Sequence, residues 1–431
     1  MNSREAALKV LYDVESNGAY TNAALNKISN NAFSLPADRA LFFEIVYGTV
    51  KNKLRIDYII NSYSKVKFNK ISPWVICILR MGIYQILFLD RIPDSAACDE
   101  CVKLAKKYSN PGSAGFVNGL LRNVSRTKDK LVLPDKSEDT VKYLSLKYSF
   151  PEWIVKKLIN QYGTELTEAF MQESNLPHGT DIRVNALKTD VQSLSEILSR
   201  KGYKLQISDK AENIITLYAN ANLTLTDEYK NGLFSLQNSS SKRAVDILAP
   251  EIGDIVIDVC AAPGGKSCAC AEIMKNRGQI FSFDLYEHKK ELIEKSAERL
   301  GINIISAAVN DAAIVNADFT AKADKVIADV PCSGIGVIHK KPDIKWTRKE
   351  EDIKELKLVQ QKILNAASKY VKPNGTLLYS TCTVFKEENE DNVNDFLKNN
   401  PNFSKVYEKQ ILTGKAGESG FYICKMVLNE G

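Results

Sequence analysis

The sequence is short of features that would place the chain in a membrane or an oxidising compartment. Its most apolar stretch, Trp74 to Leu89, is broken by Arg80, Gly82 and Gln85. It also falls short of the ~20 residues a spanning helix needs, so it reads as a buried helix. Met1 is not followed by a basic start and an apolar core, so secretion is not expected. The nine cysteines in 431 residues show no disulfide-framework spacing. Reduced thiols and a cytoplasmic location are the expectation. Internal repeats and low-complexity segments are lacking, and neither sign of charge dominates, the formal net charge being +6. Hydrophobic content of 44% and charged content of 26% are those of a soluble globular protein.

What is present points to several domains, because a chain of this length exceeds one ordinary core. The charge is placed unevenly. Residues 1–140 hold 20 Lys/Arg against 14 Asp/Glu, and the rest of the chain is neutral overall. Basic residues crowd 51–80 and 103–130, the footprint of a surface facing nucleic acid, although a solvated helical face would look the same. Apolar residues recur at helical spacing over 4–27, 38–63, 73–90, 94–109 and 112–126. Asp38 and Asp94 are candidate caps, and Ser72 precedes Pro73 at a first helical position. A helical domain over 1–130 follows, with a linker near 127–140. Residues 141–232 read as a small α+β domain: a helix near 151–162, a strand at Ile182–Asn185, a helix over 191–201, and apolar runs at 203–207 and 214–218. Over 233–431 strand and helix alternate, with strands expected at 255–259, 279–285, 304–309, 325–330 and 375–380. That is the rhythm of a parallel α/β sheet.

In such a sheet ligands gather beyond the carboxyl ends of the strands. Cys260, Ala261, Ala262, Pro263, Gly264, Gly265 and Lys266 leave the first strand and open a helix. Glycines there admit close backbone approach, and a helix N-terminus favours an anionic group. Asp284 ends the second strand and suits a ribose diol, Asp311 follows the third and suits an adenine amino group, and Asp329 closes the fourth. One such Asp is often only a cap, but three in register mark a nucleoside-type cofactor. Residues 260–267 also approach the phosphate-binding loop G-x-x-x-x-G-K-[ST], with Cys260 in place of the first glycine. An NTPase is therefore the rival reading, opposed by that missing glycine and by Asp284.

Cys332 in Asp-Val-Pro-Cys-Ser-Gly and Cys382 in Ser-Thr-Cys-Thr both sit at strand ends. Carbon 5 of a pyrimidine is a weak nucleophile until a thiolate adds to carbon 6, and a base must then remove the carbon-5 proton so that the thiol can leave. Two thiols beside a nucleoside site suit those two tasks, and Asp329 is placed to assist at N3 of the ring. The residues alone leave the two roles interchangeable. The attacking thiol needs a lowered pKa. Cys77, Cys268, Cys270 and Cys424 fall in apolar patterns and read as packing. Cys98 and Cys101 form a C-x-x-C on a helix with no second pair nearby, so packing is favoured over zinc, and no metal site is expected.

Asp258–Lys266, Asp329–Gly334 and Ser380–Thr383 with Glu387–Glu390 resemble the signatures of the Nop2/Sun family of RNA 5-methylcytosine methyltransferases. Leu236–Ser240, Pro342–Trp346 and the RNA-recognition-like Ile182–Asn185 extend the match. The front domain resembles the antitermination factor NusB through Ala37–Arg39, Val46–Gly48 and Phe116–Arg122. Together they resemble bacterial methyltransferases of small-subunit ribosomal RNA. The resemblance implies an all-α NusB-like domain, an RRM-like insert and a Rossmann-like class I methyltransferase domain. It also implies S-adenosylmethionine held by Cys260–Lys266, Asp284, Asp311 and Asp329. Cys382 would be the nucleophile and Cys332 would assist product release. The implied substrate is 16S ribosomal RNA, free or in an early small-subunit particle, acted on by a monomer with no membrane partner. Transfer RNA as substrate, or an RNA-binding assembly factor without catalysis, stand as alternatives.

Overall fold

The computed structural model describes residues 2–29, 33, 35–218, 222–412 and 418–430. It separates into two compact units, Met1–Asn175 with Lys340–Thr347, and Leu176–His339 with Arg348–Gly431. No described helix is long and apolar enough to cross a membrane.

The first unit is helical. Helices Ser3–Asn17 and Thr21–Ser29 replace the single one expected over 4–27, because Gly18 turns left-handed at φ 67° and closes the first. The run 38–63 likewise divides at Asn52 into Pro36–Lys51 and Lys53–Tyr63. Pro73–Phe88 is buried from Val75 to Ile86 and forms the centre of the core. Its one buried cation, Arg80, is paired with Asp57 at 2.6 Å and Glu15 at 2.9 Å, as burial of a charge requires. Asp38 and Asp94 lie in first helical turns rather than at the caps. There they still favour the helix dipole and accept hydrogen bonds from Ser3 and Ser125.

Glu152–Asn175, where the α+β domain was expected to begin with a helix near 151–162, groups with this helical unit, as does Thr140–Tyr148, a helix the sequence reading did not expect. Ser149 Oγ between them accepts the amide of Leu54 at 2.9 Å and satisfies an end group of Lys53–Tyr63. Gly163, at φ 77°, kinks the longer helix where the sequence reading ended it.

The second unit holds two sheets. The smaller contains β1 (Thr180–Val184), β2 (Lys204–Ile207), β3 (Ile214–Tyr218) and β4 (Phe234–Leu236) in the antiparallel order β2-β3-β1-β4. The short β4 lies just past the expected boundary at 232 and pairs Ile182 with Leu236. The larger comprises β5 (Ile255–Asp258), β6 (Gln279–Asp284), β7 (Ile305–Val309), β8 (Ala323–Asp329), β9 (Val371–Thr381), β10 (Phe403–Ile411) and β11 (Phe421–Leu428). Its order is β10-β11-β9-β8-β5-β6-β7, parallel from β9 to β7 and antiparallel at β10 and β11. The order reverses between β5 and β8, so the loops leaving those strands border the binding crevice.

Candidate active site

The loop after β5 is tied into the sheet by its own backbone. Ala261 N–H donates to Phe283 O at 2.8 Å, Gly264 N–H to Ala261 O at 2.7 Å, and Ala262 N–H to the Asp284 carboxylate at 3.1 Å. The Ala262–Pro263 peptide is cis. Gly264 caps helix Gly265–Ile273 at φ 99°, where a side chain would be strained and would meet Ile293 Cα at 3.4 Å. The helix N-terminus is clamped by Arg183 of β1. Its guanidinium is fully buried, donates to Gly265 O at 2.7 Å and to Gln237, and pairs with Glu272 at 2.8 and 2.9 Å. Nothing in the spacing of Ile182–Asn185 pointed to this clamp. A charged residue amid a strand's apolar pattern was its one signal.

The three acids stand at successive strand ends. Asp284 is buried and also pairs with Lys289 at 3.1 Å, while Asp311 is exposed and accepts Ala313 N–H at 2.9 Å. Asp329 is partly buried, with one oxygen on Lys266 Nζ at 2.5 Å and the other on Ser380 Oγ at 2.7 Å. Lys266 is thus committed to a carboxylate, not offered to a phosphate. A fourth acid, Asp258, is fully buried and accepts Ser267 Oγ at 2.8 Å; burial pushes its carboxyl up to about 7. Burial and then the charges of Asp258, Asp329 and Asp284 raise the Cys260 thiol, so it stays protonated. A buried acid beside backbone amides, with further acids along the next strand ends, fits a nucleoside carrying an amino-acid-like tail.

Fifty residues apart in sequence, the two singled-out thiols meet: Cys332 Sγ and Cys382 Sγ are 3.3 Å apart. Cys382 follows the last residue of β9, and Cys332 lies in the loop after β8. The hydrogen bond with Cys382 and then burial push the Cys332 thiol well up from its ordinary value. Glu388 lies beneath the Cys332 loop, fully buried. It accepts Ser333 N–H at 2.8 Å, Ser333 Oγ at 2.6 Å and Gln360 Nε2 at 3.0 Å. Arg348 donates from above to Ser333 O at 3.2 Å and Cys332 O at 3.4 Å. Gly336 joins both cysteine segments by donating to Cys382 O at 3.0 Å. Gln360 and Arg348 were not legible in the sequence, since each acts through a fold contact distant along the chain.

The other cysteines are structural. Cys77, Cys98, Cys101, Cys268, Cys270 and Cys424 are buried, and burial raises the thiols of Cys77, Cys101, Cys268 and Cys424 to about 12. Cys101 donates to Ile78 O across the helical core at 3.7 Å. Among the described residues no cluster of His, Cys, Asp and Glu could hold a metal.

Comparison with known proteins adds three family matches: 16S rRNA methyltransferase RsmB/F over residues 245–425, the NusB family over 1–126, and the RsmF/B-like ferredoxin-like domain over 150–224. A probable ribosomal RNA small subunit methyltransferase B of Bacillus subtilis is 37% identical, covering 98% of each chain. The Proteus mirabilis ribosomal RNA small subunit methyltransferase B is 28% identical over 98% of this chain and 97% of its own. The solved structure of PH0851 superposes with a TM-score of 0.81 at 26% identity over 99% of both chains. NSun6 of Pyrococcus horikoshii, solved with SFG, an analogue of S-adenosylmethionine, shares the fold at TM-score 0.59 and 21% identity, covering 66% of this chain and all of its own.

Proposed function

From the membership of this chain in the RsmB/F family of S-adenosylmethionine-dependent 16S rRNA methyltransferases, we propose that it methylates carbon 5 of a cytosine in small-subunit ribosomal RNA. The observation that carries the reading is the 3.3 Å approach of Cys332 and Cys382 beside the cofactor loop. In this proposal the helical domain 1–130 and the insert 141–232 bind RNA, and 233–431 performs the chemistry. Cys260–Lys266, Asp284, Asp311 and Asp329 hold the cofactor, which supplies an electrophilic methyl group when bound.

Cys382 loses its proton to solvent and its sulfur adds to carbon 6, pushing the ring electrons to carbon 5, which would take the methyl group as that group's bond to the cofactor's sulfonium sulfur breaks and the bonding pair stays on that sulfur. Asp329, oriented by Lys266 and Ser380, serves the N3 side of the ring. The Cys332 thiolate then takes the carbon-5 proton. That electron pair restores the ring double bond, and the bond to Cys382 sulfur breaks. The two thiols assist each other in time. Cys332 is hard to ionise chiefly because it shares a hydrogen bond with Cys382. Once Cys382 is bonded to carbon that cause is gone, which makes Cys332 easier to ionise, while burial and the Glu388 charge still oppose it. The base must leave its stack to reach the thiols, which favours a loop or single-stranded target.

Purified Cys382→Ala is expected to lose methyl transfer to a 16S rRNA transcript by about three orders of magnitude. Cys332→Ala should trap a covalent protein–RNA adduct that survives a denaturing gel. Near-wild-type transfer by Cys382→Ala, or no adduct with Cys332→Ala, overturns the assignment of roles. Bisulfite sequencing of a deletion strain identifies the RNA: unchanged ribosomal methylation would redirect the proposal to transfer RNA. No observation favours the NTPase, whose lysine is taken by Asp329.

A further inference from the structure

The chemistry above gives no task to the residues that follow the two thiols. Ser333 and Thr383, next after Cys332 and Cys382, are both buried, and their hydroxyls share a hydrogen bond at 2.7 Å. The loop after β8 is thereby tied to the exit of β9 by a contact besides that of the sulfurs. Glu388 grips the same link, accepting Ser333 Oγ at 2.6 Å on one oxygen and Ser333 N–H at 2.8 Å on the other. Gln360, on helix Glu350–Ser368, donates from Nε2 to Glu388 Oε1 and to Pro331 O, each at 3.0 Å. The backbone is therefore held on both sides of Cys332. Tyr379 of β9 donates its hydroxyl to Glu388 O at 2.7 Å and receives Asn392 Nδ2 at 2.9 Å, which fastens Glu388 to the strand leading to Cys382.

Gln360, Tyr379, Glu388 and Asn392 are fully buried. Among the described residues no Lys or Arg pairs with Glu388, whose carboxyl is raised by burial against the opposing hydrogen bonds of Ser333 and Gln360. A buried carboxylate without a cation is costly, and an apolar side chain of like size would fill the space at less cost. Stability alone does not account for this network. A fixed grip on the two thiol-bearing segments does, because hydrogen bonds to an ionised acceptor are the stronger and more directional ones.

We infer that Glu388, Gln360 and Thr383 are positioning residues for methyl transfer: with Ser333 they hold the Cys332 loop against the exit of β9, so that both thiols face one ring. They act through the backbone and not on the reacting atoms. The inference rests on the methyltransferase reading above and deepens it by naming what sets the spacing between the attacking and the releasing group.

The test uses the full chain and substitutions that leave charge unaltered, because loss of the Glu388 charge would itself ease ionisation of Cys332. Thr383→Val keeps the shape and removes the hydroxyl, Thr383→Ser keeps the hydroxyl, and Gln360→Met removes both amide donors. Thiol spacing is read without RNA, from the rate at which diamide closes a Cys332–Cys382 disulfide mapped by mass spectrometry. Each thiol gives up its proton, one sulfur–sulfur bond forms, and diamide takes up the two protons and two electrons as it becomes the hydrazine. Thr383→Val and Gln360→Met should each slow closure, and lower kcat for methylation of a 16S rRNA transcript, at least about tenfold, with S-adenosylmethionine affinity and KM for RNA within about twofold of wild type. Thr383→Ser should restore both rates. If Gln360→Met melts below the assay temperature, the two Thr383 variants decide. Unchanged closure in Thr383→Val overturns the inference, and so does slowed closure with unchanged kcat. If the wild type closes the disulfide but neither binds nor methylates ribosomal RNA, the functional reading fails instead, and closure in the variants still decides whether the grip exists.

Discussion

Asp258 shows how a single residue ties the loop after β5 to stability. It ends β5 with its carboxyl fully buried, and burial raises that carboxyl to about 7. In the unfolded chain an aspartate titrates near 3.9. Between those values the folded state binds the extra proton, so stability is fullest below about 4 and is lost as pH rises through about 7. The loss is at most about 4 kcal/mol by linkage. Calorimetric melts of the wild type should therefore fall between pH 5 and 8 more steeply than those of Asp258→Asn; parallel curves would refute the assignment. Residues of this kind divide by what made them visible. The positions of Cys332, Cys382, Asp284, Asp311 and Asp329 at or just past strand ends were legible because the periodicity of the strands fixes where each one ends. Asp258 sits among the same motifs, but its importance comes from desolvation, which only packing reveals.

Among elements, the junction at Gly336 matters most for the thiol pair. Three segments cross there: the loop after Cys332, the residue after β9, and the turn before β11. Gly336 donates to Cys382 O and accepts from Gly420 N–H at 2.8 Å. A Cβ at Gly336 would lie 2.1 Å from Gly420 O and 2.8 Å from Cys382 O, both backbone atoms that cannot swing aside. Gly336→Ala should therefore separate the two cysteine segments. We expect kcat to fall at least about tenfold, since an ångström-scale misplacement costs that much or more, with S-adenosylmethionine affinity within twofold of wild type. Unchanged kcat in steady-state methylation assays would show that the crossing does not set the thiol geometry. The same element escaped the sequence because glycine has no side chain to signal a partner. β10 escaped for another reason. At the sheet edge it exposes most of its residues, including Lys405, Glu408 and Lys409, and lacks the apolar run of the central strands.

Across the whole molecule, the basic excess of the first 140 residues is thinner on the surface than in the sequence. Arg80 is buried in ion pairs, Lys53 is held by Glu15, and Lys128 by Asp94. Lys65, Lys67 and Lys70, around the short turn Phe68–Lys70, are exposed and form no ion pair among the described residues. They are the better candidates for phosphate contact. Replacing all three with glutamine should weaken transcript binding at low salt and reduce the salt-dependence slope by ~0.7 per lost contact. Lys128→Gln, already neutralised by Asp94, should change it little. Filter binding across a salt series checks both, and an unaltered slope in the triple variant would remove this face from the RNA path. The sequence by itself determined the order of the parts, the parallel portion of the α/β sheet and the positions of its strand-end acids and thiols, but not the antiparallel β10 and β11 that complete it. Those follow from local periodicity and from motifs contiguous in the chain. Only the tertiary structure decided that Cys332 and Cys382 touch, that Lys266 belongs to Asp329, that Arg183 clamps helix Gly265–Ile273, and that helices 140–175 join the helical unit. Each of these depends on burial and on contacts between residues far apart in sequence, where desolvation and unmet hydrogen bonds choose the partner.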